Sequence, residues 1–133
     1  MNIDSRPQLD ERVPARPECI ARARHAVVDF AALSGASDSD LEDIAVAVSE
    51  AVTNVVQHAY IGRVDAGELA LQAWVQERRL QVAIRDEGIG MRGAGRPRSG
   101  HGLALMHRMT ENLQIEDAMP GVRVRMTFDI GWG

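Results

Sequence analysis

Apolar residues recur along this chain in two rhythms, one near 3.6 residues and one of two, and the changes between them divide it into elements. The first eight residues are largely polar and are expected to be a flexible N-terminus. Residues 9–13 suit a short strand before Pro14 and Pro17. Pro17 then fits the first turn of a helix running to about Leu33, where Ser34 and Gly35 stop it. Ile20, Ala23, Val27, Phe30 and Ala31 give that helix one apolar face. Asp38 reads as the cap of a second helix, in which Leu41, Ile44, Ala45, Val48, Val52, Val55 and Val56 keep the helical period to about His58.

Both helices need a surface to lie on, and three segments with alternating apolar positions provide one. They are Leu69, Leu71, Ala73 and Val75; Leu80, Val82 and Ile84; and Val122, Val124, Met126 and Phe128. The short link 76–79 between the first two predicts a hairpin. After the second comes a loop rich in Gly and Arg, then a helix over about 102–112 with Leu103, Met106 and Met109 inward. Residues 113–117 fit a fourth strand, turning at Pro120 and Gly121. Helices on one face of a mixed, mostly antiparallel sheet make a two-layer α/β sandwich.

A length of 133 residues fits one domain, here 9–133, and 45% hydrophobic with 26% charged residues is the balance of a soluble globular chain. No apolar run approaches a membrane span and the N-terminus lacks a signal-peptide pattern, so the expected location is the cytoplasm, with no membrane partner. Cys19 is the single cysteine, which excludes an internal disulfide, and His25, His58, His101 and His107 lack metal-ligand spacing. A net charge of −4 and five aromatic residues argue against direct nucleic-acid binding. Arg92, Arg96 and Arg98 nevertheless concentrate positive charge in one loop, where a small anion could be met.

Three local patterns carry candidate chemistry. Glu50 and Asn54 stand four residues apart on the second helix, bordered by Val46, Ala47 and Ala51. A polar pair there is either part of a solvated face or the floor of a pocket. Asp86, Gly88 and Gly90 follow a strand, where glycines allow a tight turn and a close backbone approach. Gly100, Gly102 and Leu103 open the third helix, whose first amides can meet phosphate oxygens.

In this order and combination, the three patterns resemble the N, G1 and G2 boxes of the Bergerat-fold (histidine-kinase-like) ATPases. Val48 to Asn54 with His58-Ala59-Tyr60, together with Ile84 to Gly88, looks more specifically like the bacterial anti-sigma factor serine/threonine kinases. The likeness extends over residues 13–130. It implies a transferase that binds ATP and Mg²⁺, sequesters a sigma factor and phosphorylates an anti-sigma factor antagonist, regulating transcription. By the same resemblance Glu50 is the catalytic base, Asn54 the Mg²⁺ ligand and Asp86 the acceptor of the adenine amino group. Gly88 and Gly90 would close around the base, and Gly100, Gly102 and Leu103 would meet the phosphates. Family members commonly act as dimers, so a homodimer is also implied.

Two departures from the family pattern bear on activity. Residues 91–99, in the place of the lid over the nucleotide, are few for this superfamily and hold mostly Gly, Pro and Arg. Gly121-Val122 stands where such proteins often have Gly-Thr. They keep open an alternative in which the chain is a weak or inactive kinase and acts by sequestration alone.

Overall fold

A computed structural model describes residues 7–60, 67–88 and 100–131. Strand β1 covers Leu9–Pro14, followed by a 3-10 turn, Pro17–Cys19, that leads into helix α1, Ile20–Leu33. Helix α1 ends where expected: the Ser34 hydroxyl bonds the Phe30 carbonyl at 2.8 Å, and Gly35 takes φ +101°.

Helix α2 spans Asp38–Asn54. Its N-cap is Ser37 rather than Asp38, because a reciprocal pair forms there. The Asp40 amide donates to Ser37 Oγ at 3.1 Å and the Ser37 amide donates to Asp40 Oδ2 at 2.9 Å. Gly131 adds a third bond, its amide donating to the same Oδ2 at 2.9 Å. Partial burial pushes the Asp40 pKa up, but the hydrogen bonds from Ser37 and Gly131 outweigh it and hold the carboxyl below its ordinary 3.8. Beyond Asn54 the helix does not continue regularly to His58. It widens into a π-helical turn, Val55–Ala59, a form often found at functional sites.

Strands β2, Glu68–Gln76, and β3, Arg79–Asp86, form the expected hairpin. Its two-residue turn holds Glu77 and Arg78 at φ 53° and 67°, the hand that suits the twist of a tight hairpin, although neither residue favours it. The Ile130 amide bonds the Arg78 carbonyl at 2.9 Å and pins the turn from outside. Helix α3 covers Gly100–Met109, starting earlier and ending sooner than the sequence suggests. Thr110 Oγ1 bonds the Met106 carbonyl at 2.7 Å, and the Glu111 amide joins Thr127 at 2.8 Å, so the chain is already leaving for the sheet.

Strands β4, Asn112–Asp117, and β5, Val122–Asp129, complete the sheet, whose order is β1-β2-β3-β5-β4. Among the described residues every pairing is antiparallel, so no parallel pair is needed. The three helices cover one face. Ala23, Val27, Ile44, Val48 and Val52 from the helices meet Leu69, Leu71, Val82, Ile84 and Met126 from the strands in one core. Each buried Val, Ile or Leu there contributes about 1.5–3 kcal/mol. The opposite face of the sheet carries Arg12, Gln72, Arg85, Arg123 and Arg125, and among the described residues no helix lies over it.

Candidate functional site

Helix α2 turns its apolar stripe, Ile44, Ala47, Val48, Ala51 and Val52, into the core. Glu50 and Asn54 stand on an adjoining, half-buried strip of the same helix. That strip is not open solvated surface, because the first turn of α3 lies against it. A Cβ built on Gly102 would sit 2.9 Å from Glu50 Oε1 and 3.8 Å from both amide heavy atoms of Asn54. Gly102 is buried, and Leu103 beside it packs on the edge of the core. The absence of a side chain at 102 is therefore what lets the opening turn of α3 approach Glu50 and Asn54. Arg24 on α1 reaches the same helix, its Nη1 donating to Ser49 Oγ at 3.3 Å.

Asp86, at the end of β3, is the one charged residue that is buried among the described residues, 1% exposed. Its Oδ1 accepts the Gly88 amide at 2.9 Å and the Val122 amide at 3.2 Å, so the carboxylate is oriented by backbone from both its own turn and β5. Gly121, with φ +89°, lies against the Asp86 carbonyl so closely that no Cβ fits between them. Val122, which has no side-chain hydroxyl to offer, contributes through its backbone amide.

The two halves are tied together at the end of the π-helical turn. Gly88 packs on the Ala59 carbonyl, again leaving no space for a Cβ. Tyr60 is buried, and its hydroxyl donates to the Glu68 carbonyl at 2.6 Å while accepting the Glu87 amide at 3.0 Å. The segment that follows Asn54 thus clamps the turn that follows Asp86.

The structure brings Glu50, Asn54 and Gly102 together and links them through Ala59 and Tyr60 to Asp86 and Gly88. Gly100 begins α3. Gly90, Arg92, Arg96 and Arg98 lie outside the described residues. Tyr60, Gly121 and Val122 were given no role from the sequence, although Tyr60 falls in the family-like stretch 58–60 and Gly121-Val122 in the place of the Gly-Thr pair; Pro120-Gly121 also marked a turn.

Comparison with known proteins agrees with this geometry. Residues 13–128 match the family model of the histidine kinase-like ATPase domain. The serine-protein kinase RsbW of Bacillus thuringiensis is 32% identical over 124 aligned residues, 81% of this chain and 76% of that protein. RsbW from a Bacillus cereus strain matches equally well. Among solved structures, the RsbU and RsbW domains of a Mycobacterium tuberculosis protein align at TM-score 0.72 and 23% identity, covering 93% of this chain. This chain spans 33% of that one. A histidine kinase domain from Erythrobacter litoralis aligns at TM-score 0.60 and 17% identity, covering 98% of this chain and 66% of its own.

Proposed function

The chain belongs to the histidine kinase-like ATPase family and within it to the RsbW serine-protein kinases, and from that premise we propose that it is an anti-sigma factor serine kinase. The observation that carries the reading is the convergence of Glu50, Asn54 and Gly102, with Asp86 held by backbone amides on the adjoining strand. These residues fit ATP with Mg²⁺: no side chain at 102 stands between the opening turn of α3 and the Glu50–Asn54 strip, the Asn54 amide oxygen suits a hard cation, and the buried Asp86 carboxylate suits an amino donor.

In this reading Asp86 accepts a hydrogen bond from the adenine amino group, with Gly88 and Gly90 letting the backbone close on the base. Asn54 holds Mg²⁺ through its side-chain oxygen, as one protein ligand among phosphates and waters. The amides opening α3 at Gly100, Gly102 and Leu103 face the phosphate charge. Bound ATP and Mg²⁺ supply the phosphoryl group and neutralise its charge. Glu50 accepts the proton of an incoming serine or threonine hydroxyl, a role decided first by position. The partners are a sigma factor, held by sequestration, and an antagonist protein that is phosphorylated; the setting is the bacterial cytoplasm and the working unit a homodimer. No helix among the described residues is long and apolar enough to cross a membrane.

Purified protein incubated with labelled ATP and its cognate antagonist should transfer phosphate. Glu50→Gln should stop transfer while calorimetric titration still detects Mg-ATP. Transfer that survives in this variant would remove Glu50 from the role of base.

A further inference from the structure

The helix-free face of the sheet carries a row of side chains with an unusual charge order. Strand register places Arg12 opposite Ala70, Ala70 opposite Arg85, Arg85 opposite Arg123, and Arg123 opposite Glu116. One line of residues thus crosses all five strands and holds three guanidinium groups in a chain of net charge −4. Arg85 and Arg123 face each other directly, an arrangement that costs stability in a sheet unless something offsets it. Among the described residues neither has an acidic side chain within 4.0 Å, whereas Arg12 reaches Glu68 at 3.9 Å and Arg79 reaches both Glu111 and Asp129. The small side chains of Ala70 and Ala83 lower the floor beneath the row and leave a groove of about 460 Å³, bordered by Arg12, Arg85, Arg123 and, at its far end, Glu116 and Asp117.

We propose that this groove is a docking surface for an acidic segment of a partner protein, whose carboxylates pair with Arg85 and Arg123. Charge complementarity decides the occupant. Carboxylates laid over the facing guanidiniums would turn a repulsive pair into two charge-assisted contacts. The acidic end, Glu116 and Asp117, disfavours a compact polyanion or nucleic acid, but accepts a polypeptide that carries a basic or amide group at that point. Five strands at ~4.8 Å spacing give the row a length of ~19 Å, the span of about six extended residues. A second copy of this chain is a poorer occupant: a two-fold axis through the middle of the row would pair Arg12 with Glu116 at the ends, but would set Arg85 against its own copy and Arg123 against Ala70, leaving the facing guanidiniums without a carboxylate. The surface lies on the side of the sheet away from α2 and α3, and the inference does not depend on the nucleotide site.

The test uses the full chain, ¹⁵N-labelled, titrated with a synthetic decapeptide alternating Glu and Thr and with the same peptide carrying Gln for Glu. The acidic peptide should shift the amide signals of Ala70, Ala83, Arg85 and Arg123, lose affinity steeply as salt rises, and leave those of Asn54 and Asp86 in place. The Gln peptide should bind at least about tenfold more weakly. Arg85→Glu and Arg123→Glu should each weaken the acidic peptide at least about tenfold, without changing Mg-ATP affinity. Glu116→Lys should tighten it severalfold, a gain that misfolding cannot produce. The proposal fails if the peptide shifts the helical face, if charge reversal changes affinity less than twofold, or if tripolyphosphate binds the row more tightly than the peptide. It also fails if light scattering shows that Arg85→Glu converts a dimer into monomers and the peptide does not bind, since the occupant would then be a second copy.

Discussion

Tyr60 accepts the amide hydrogen of Glu87 at 3.0 Å and passes its own hydroxyl hydrogen to the Glu68 carbonyl at 2.6 Å. One phenol oxygen thereby joins the end of the α2 segment, the start of β2 and the residue between Asp86 and Gly88. Tyr60→Phe keeps the ring and removes both bonds, leaving a donor and an acceptor in a partly buried place. Urea denaturation should show a loss of roughly 1–3 kcal/mol. Nucleotide affinity should fall with it, and calorimetry at a temperature where the variant is fully folded separates the two effects.

Gly102 and Gly121 are close to different kinds of atom, and their alanine variants should fail differently. At 102 the added Cβ meets the end of a flexible carboxylate, Glu50 Oε1 at 2.9 Å. Glu50 can swing away, so Gly102→Ala should shift the melting temperature by only a few degrees, roughly 1 kcal/mol, yet lose most phosphoryl transfer. At 121 the added Cβ meets the Asp86 backbone, and φ is +89°. Gly121→Ala should cost more than ~2 kcal/mol and reduce the folded yield. Thermal melts and transfer assays on both proteins check the contrast.

Base selectivity should rest on Asp86. Asp86→Asn keeps an oxygen for the Gly88 and Val122 amides, which now bond Oδ1 at 2.9 and 3.2 Å, and so preserves the turn. It also introduces an NH₂ group that opposes the adenine amino group and favours a carbonyl at the same position. ATP affinity should drop by about 100-fold or more, with GTP losing much less, because a buried donor facing a donor leaves both unpaired. Competition between the two nucleotides for each protein measures it.

Acid should unfold the chain partly through Asp40. Its carboxyl titrates below 3.8 in the folded protein because of the bonds from Ser37 and Gly131. Above about pH 5 both folded and unfolded chains are ionised at this position and the full contribution is present. As pH falls below that value the unfolded chain takes up the proton first, and the contribution disappears as pH passes the folded pKa. Asp40→Asn should therefore flatten the fall of melting temperature from about pH 5 downward. Ser37→Ala should cost about 1 kcal/mol at neutral pH.

Periodicity made most of this architecture readable. The alternation in Leu69 to Val75 and Leu80 to Ile84 identified both strands of the hairpin, and the 3.6-residue stripe from Leu41 to Val52 identified α2. What it missed lay where backbone competes with side chains. Ser37 outbid Asp38 as the cap because its partner is three residues on, and the turn at Glu77-Arg78 is held by Ile130, far away in sequence. In the site, Glu50, Asn54, Asp86 and Gly102 were legible because the family pattern names those residue types. Tyr60 and the Asp86 to Val122 bond were not, since each is a contact between strands or turns that no local window contains.

Helix α2 has a consequence for motion. Five of its residues, Ile44, Ala47, Val48, Ala51 and Val52, are locked in the core, and Glu50 and Asn54 share its backbone. Amide hydrogens along this stretch can exchange with solvent only when much of the protein opens, so their exchange should approach the global unfolding limit. Glu50 and Asn54 thus sit on a rigid anvil, and any adjustment made for a bound nucleotide has to come from the opposing side of the site.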